Sequence, residues 1–246
     1  MRSIGFSTGA LAYGHFRDAL GMLMPLNVEA VELSALRDHE LGPLMAALPT
    51  LDLRRFRYIS VHVPSKLAST TERDLVAALA PCLEREIPVV LHPDIIRDAS
   101  LWRSFGNLLC VENMDKRKPA GRTADELDTF FDLLPEAAFC LDIAHARQID
   151  PTMGEAREML RRFGRRLRQI HISELDSAGR HHGLSIATIL ATRRILPLIR
   201  EDVPAIIESQ VPRDRIAGEL KSVEEAFSPS GPGSVEWDGA DWGALA

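Results

Sequence analysis

Six residues of the kinds that bind metal ions recur at one phase of a repeat. They are His62, His92, Glu112, Asp142, His171 and Glu208, separated by 30, 20, 30, 29 and 37 residues. Each sits at the carboxyl end of a short apolar run: YISVHV, PVVLH, LLCVEN, AFCLDI, LRQIHI and PAIIES. A single strand histidine is more often a hydrogen-bonded core residue than a ligand. Ionisable residues are rarely fully buried, however, and packing does not explain one at the same place in six successive units. Mixed carboxylate and imidazole donors suit divalent Zn, Mn, Fe or Co. Gathering Glu112, Asp142 and Glu208 in one pocket without a counter-charge would cost on the order of several kcal/mol each, or raise their pKa values. A divalent cation removes that penalty. His145, three residues after Asp142, and His181 lie just downstream and join the candidate set.

These residues need elements that bring them together. Eight apolar, β-branched runs occur at 4–7, 30–34, 58–63, 88–92, 108–113, 138–143, 167–172 and 204–209. Their spacing leaves room for a strand, a helix and two loops in each unit. Near-continuous apolar strands are what a parallel sheet buried on both faces requires. Eight units predict an α/β protein with a closed (β/α)8 TIM barrel, whose strand ends converge on one face and carry the site. A doubly wound open sheet is the alternative. It normally places a glycine-rich phosphate loop after strand one, and Ser7-Thr8-Gly9-Ala10 does not fit that pattern.

Between the runs the pattern is helical. Thr123 and Glu126 form a T-x-x-E capping box, followed by Leu127, Phe130, Phe131 and Leu134 on one face. Residues 74–86 predict a helix kinked at Pro81. Only one or two helical turns fit around 99–105. The barrel domain is expected to span residues 1–227, with a proline- and glycine-rich C-terminal tail at 228–246 that Trp237 and Trp242 would pin.

Composition narrows the function. With 246 residues, 46% hydrophobic, 26% charged and a formal net charge of -6, the chain has the composition of a soluble globular protein with a large core; the strand-end residues, not composition, point to a small-molecule substrate. The net charge disfavours nucleic acid as a partner. The basic stretch RRFGRRLR at 161–168 precedes strand seven and so belongs to the amino-terminal face, away from the strand ends. Cys82, Cys110 and Cys140 are odd in number and widely spaced, which argues for a reducing compartment and buried thiols rather than a disulfide framework. With no signal-peptide pattern and no run of about 18 apolar residues, a cytoplasmic location without a membrane span is expected. The oligomeric state stays open, a homodimer included.

The motifs VHVPS, LHPD, VENMD, LDIAH, HISELDSAGRHHG and IIES, in that order, resemble the xylose-isomerase-like TIM-barrel superfamily. That group includes sugar phosphate isomerases and epimerases and the endonuclease IV-like repair enzymes. In the first branch, the resemblance implies one divalent metal held by Glu112, Asp142, His171 and Glu208. Glu112 and Glu208 would also be catalytic, moving protons on either face of a sugar or related polyol through an enediolate. His145 would orient a substrate oxygen. Ser177 stands where part of that branch has an arginine, and Arg180 is the substitute. Lys66 is the candidate for a substrate phosphate or carboxylate.

In the repair branch, His62, His92 and Glu112 would hold a first metal. Glu112 would bridge to a second with Asp142, His171 and Glu208. His145 and His181 would hold a third, together with an aspartate two residues before His181. Gly179 stands there instead, which weakens a phosphoesterase or AP-endonuclease reading. A non-catalytic barrel is the third alternative, since fold alone does not imply activity. Glu32, inside the second run, points either into the barrel or towards a helix.

Overall fold

The computed structural model describes residues 2–228. The tail expected at 228–246, with Trp237 and Trp242, lies almost wholly outside the described residues. Eight parallel strands close into a barrel: β1 (Ile4–Ser7), β2 (Ala30–Ser34), β3 (Tyr58–His62), β4 (Val89–Leu91), β5 (Leu109–Glu112), β6 (Ala138–Asp142), β7 (Leu167–Ile172) and β10 (Ala205–Ile207). A two-stranded antiparallel hairpin, β8 (Glu174–Leu175) with β9 (His181–His182), lies in the loop after β7. The strands pair with their chain neighbours all the way round, and β1 closes on β10 through Gly5↔Ile206. This is the (β/α)8 TIM barrel that the repeat predicts.

Side chains alternate across each strand, so the sheet has an outer and an inner face. The outward residues (Phe6, Val31, Leu33, Val61, Val89, Leu91, Val111, Phe139, Leu141, Ile170, Ile172 and Ile207 among them) join one hydrophobic cluster with the surrounding helices. The inner face differs. Val90, Cys110, Ala138 and Cys140 form a small apolar cluster of their own. Ile206 and Ala30 also face inward, and most of the remaining inner face is polar: Ser7, Glu32, Ser34, Ser60, His62, Glu112, Asp142, Gln169 and His171 are all buried. Gly5 is the one inner position with no side chain. A Cβ there would stand 1.6 Å from the Ala30 carbonyl oxygen, so β1 approaches β2 too closely for any other residue.

Helices wrap the outside: α1 (Thr8–Ala12), α2 (Phe16–Leu23), α3 (Asp38–Ala47), α4 (Glu72–Ala78), α5 (Ala80–Glu84), α6 (Ala124–Leu133), α7 (Ile143–Ile149), α8 (Gly154–Phe163), α9 (Ile186–Ile195) and α10 (Ile216–Ala226). The predicted 74–86 helix divides at Leu79 into α4 and α5, with Pro81 opening the second piece. The Thr123 hydroxyl caps α6 by accepting from the Glu126 N–H. The reciprocal half of that box is displaced: the Glu126 carboxylate accepts from the Arg122 N–H, one residue before the cap. The segment around 99–105 holds only 3-10 turns, as its length requires. Residues 161–168 run from the end of α8 into β7. Arg161 and Arg162 pair there with Glu158, Asp125 and Asp128, as a solvated helix face does. All three cysteines are free and buried. Among the described residues no helix is long and apolar enough to cross a membrane.

Candidate metal centre

The ligand candidates occupy the carboxyl ends of consecutive strands. His62, Glu112 and Asp142 are the last residues of β3, β5 and β6; His171 is next to last in β7; His92 and Glu208 follow β4 and β10 by one residue. Register brings them level, with Asp142 opposite His171 and Ser34 opposite His62. All point into the barrel mouth.

Glu112, 1% exposed, is the hub. Its Oε2 lies 3.1 Å from His62 Nε2 and 3.4 Å from His92 Nε2. Its Oε1 lies 3.1 Å from His171 Nδ1 and 3.4 Å from His145 Nδ1. Glu208 approaches the same His171 nitrogen at 3.6 Å, and its other oxygen lies 3.6 Å from His181 Nδ1. One ligand atom from each of Glu112, Asp142, His171 and Glu208 falls within 4.8 Å of the others; the sets His62–His92–Glu112 and His62–His171–Glu208 meet the same criterion. These residues can therefore hold a divalent metal ion. Two buried atoms of these residues, Asp142 Oδ2 and His92 Nδ1, have no hydrogen-bond partner. Orphaned buried donors and acceptors are costly, and a cation is what satisfies a lone pair of this kind.

Surrounding contacts fix the ring orientations. His62 Nδ1 donates to the Val63 carbonyl at 2.8 Å, which leaves Nε2 facing Glu112. His145 Nδ1 donates to the Asn113 carbonyl at 2.9 Å. The Asp142 carboxylate caps α7 by accepting from the His145 N–H at 2.6 Å, so D-x-x-H is a strand end and a helix start in one motif. Asn113 holds that turn. Its amide donates to the Asp142 carbonyl at 2.9 Å and its side-chain oxygen accepts from the Asp142 N–H at 2.7 Å.

The electrostatics are those of a crowded, desolvated cluster. Burial alone would raise the Glu112 carboxyl; His171 beside it, with hydrogen bonds from His171, His62 and His92, holds it well below the usual range. Burial lifts Glu208 to about 7 and raises Asp142. His62 is driven the other way: burial opposes its charge, but Glu112 and Glu32 raise it to about 9. His171 is raised well above its ordinary value against burial, by Glu208, Glu32 and Glu112 among its neighbours. Burial lowers His92 to about 4 and His181 to about 3. Protons on His62 and His171 thus neutralise carboxylates in the metal-free chain, and a divalent cation would take their place.

Not every sequence candidate reaches this centre. Lys66 is exposed on the loop after β3, and Arg180 is exposed and held by Asp176 at 2.9 Å. The geometry brings neither of them to the carboxylates. His181 is brought in: its ring stands 5.9 Å from that of His145, and Ser173 Oγ lies 2.8 Å from its Nδ1. Gly179 has φ +76, and a Cβ there would overlap the Arg117 guanidinium at 1.6–1.8 Å. The place of the third-site aspartate is thus filled by Arg117, which also pairs with Asp115. Asp115, 2% exposed, and Glu32, inward and fully buried, are site-adjacent carboxylates that the sequence left unassigned. The signal for Asp115 was its place in VENMD, three residues after Glu112.

Comparisons with solved structures agree with this architecture. A xylose isomerase domain protein from Alicyclobacillus acidocaldarius matches with a TM-score of 0.62 at 14% identity, covering 92% of this chain and 98% of that one. Endonuclease IV from Thermus thermophilus matches at 0.56 and 19% identity, covering 91% and 99%. The 3-keto-D-glucoside 4-epimerase from E. coli matches at 0.56 and 12% identity, covering 92% and 99%. This chain has the xylose-isomerase-like TIM-barrel fold. No family model matches the sequence, and no curated protein matches it. As a TIM barrel, the chain carries its ionisable cluster at the strand ends, where barrels of every chemistry place their sites.

Proposed function

We propose that this protein is a divalent-metal-dependent isomerase or epimerase acting on a sugar or related polyol through an enediolate. One observation carries the reading: Glu112, Asp142, His171 and Glu208 present ligand atoms within 4.8 Å of one another, with Asp142 Oδ2 orphaned. The likeness to a sugar epimerase in fold lends support. A cation held there would supply a Lewis acid that polarises a substrate carbonyl and stabilises the oxyanion formed when the adjacent C–H loses its proton.

The chain's own residues supply the rest. Glu112 and Glu208 flank His171 from β5 and β10, two carboxylates in contact with one imidazole and carried by different strands. Their environments split their proton affinities, with Glu112 held low and Glu208 raised to about 7. Such a split suits one group that accepts a proton from carbon and another that returns one. His145, held by the Asn113 carbonyl, has Nε2 3.9 Å from Asp115 Oδ2 and without a hydrogen bond, in place to orient a substrate oxygen.

The His62–His92–Glu112 group favours a second reading, hydrolysis of a phosphoester at two metals. The arginine seated over Gly179 stands against the full three-metal version. Metal analysis after purification without added metal separates these readings. The isomerase expects about one ion per chain, the hydrolase two or three, and a non-catalytic barrel none. The chemistry is tested by incubating ketoses with loaded protein in deuterium oxide. Deuterium appearing at carbon adjacent to the carbonyl supports an enediolate, and its absence across a broad panel of ketoses with loaded protein removes it.

A further inference from the structure

Glu32 is a fully buried carboxylate that belongs to none of the groups able to hold a metal. It lies on β2 opposite Ser60 and Ser7, facing the barrel axis. One of its oxygens, Oε2, receives three groups: Ser60 Oγ at 3.1 Å, Gln169 Nε2 at 2.8 Å and His171 Nε2 at 3.1 Å. Its other oxygen has no partner. Tyr58 donates to Gln169 Oε1 at 2.6 Å, which fixes the amide with its nitrogen towards Glu32. Gln169 Nε2 also lies 2.7 Å from His171 Nε2; an amide nitrogen only donates, so Glu32 and Gln169 compete at that ring nitrogen, the carboxylate favouring a proton on it and the amide a lone pair.

A buried carboxylate with an orphaned oxygen does not stabilise a fold. An apolar residue like its neighbours Val31 and Leu33 would fill the space at lower cost. What Glu32 does is act on His171 from the ring edge opposite Glu112 and Glu208. An ionised carboxylate only accepts, and its charge outweighs the neutral amide, so the hydrogen between them is on Nε2. Once a cation displaces the second imidazole proton, the lone pair is on Nδ1, the nitrogen 3.1 Å from Glu112 and 3.6 Å from Glu208. We infer that Glu32 is a positioning residue of the metal centre: through Nε2 it fixes the tautomer and orientation of His171 and strengthens Nδ1 as a donor to the cation. The inference rests on the metal-dependent reading proposed above. Removal of such an outer carboxylate typically weakens metal binding about 10- to 100-fold.

The test is zinc affinity, measured by chelator competition for the wild type and Glu32→Gln, with the metal-free melting temperature of each as the control for folding. The expected result is a zinc Kd raised about 10- to 100-fold in a variant that melts no lower than wild type when metal-free. A second readout is the nitrogen-15 spectrum of labelled histidine in the zinc-loaded proteins. Wild type should show His171 held with its proton on Nε2, and Glu32→Gln should lose the strong hydrogen bond to that proton. Equal affinity in the two proteins, with unchanged His171 signals, overturns the role of Glu32 and leaves the metal centre intact. A wild type that binds no zinc, manganese, iron or cobalt overturns both. If Glu32→Gln does not fold, Ser60→Ala decides: it removes one donor to Glu32, and a loss of roughly fivefold in affinity supports the inference, whereas none overturns it.

Discussion

His171 is gripped from both sides, by Glu32 at one ring nitrogen and by Glu112 and Glu208 at the other. Its replacement therefore does more than delete one ligand. His171→Ala leaves three carboxylates facing a void, and Glu208→Gln withdraws the charge on the far side of that ring. Each variant is expected to lose bound metal, read by elemental mass spectrometry, and to lose activity. Full metal content in either one would mean that the ligand set is wrong. Proton accounting gives a second prediction. Because His62 is raised to about 9 and His171 is raised as well, both carry protons near neutrality in the metal-free chain. Metal must displace them, so binding releases protons and weakens as pH falls, with affinity still climbing through about pH 9. Titration calorimetry in buffers of different ionisation enthalpy measures the release directly.

At the scale of elements, Asn113 and Gly5 matter most. Asn113 is buried and bonds both backbone groups of Asp142, stapling the end of β5 to the turn between β6 and α7. Asn113→Ala should cost about 3 kcal/mol in urea unfolding, since two buried backbone groups lose their partners. Gly5→Ala forces a Cβ into the Ala30 carbonyl and should destabilise by at least as much, or prevent folding. The strand ends were legible in the sequence because one ionisable residue closes each of six runs, and the barrel places such ends together whatever the loops do. Glu32 was not. In a parallel strand buried on both faces, an acid amid apolar neighbours faces either way, and only the register with Ser60 decides. Arg117 filling the space at Gly179 was hidden for another reason, since the two lie 62 residues apart in loops with no periodicity to phase them. Lys66 and Arg180 are expected as substrate contacts from loop position alone, since loops carry no periodicity that gives side-chain direction.

For the whole molecule, the ion is an energetic question as well as a catalytic one. A ligand at about 100 times its Kd stabilises the folded state by about 2.7 kcal/mol, or roughly 5–10 °C in melting temperature for a domain of this size. Adding zinc to the metal-free protein should raise its melting temperature by that order, and Glu208→Gln should respond less; identical unfolding curves with and without zinc would count against the centre. The outward faces of the strands belong to one continuous apolar cluster that the ionisable mouth does not share. The scaffold can therefore assemble first and be loaded afterwards, from the open end, with whichever cation the surroundings offer. Which ion it carries is then a matter of supply and exchange rather than of folding, so the same chain purified from differently supplemented cultures would be one shape with several reactivities.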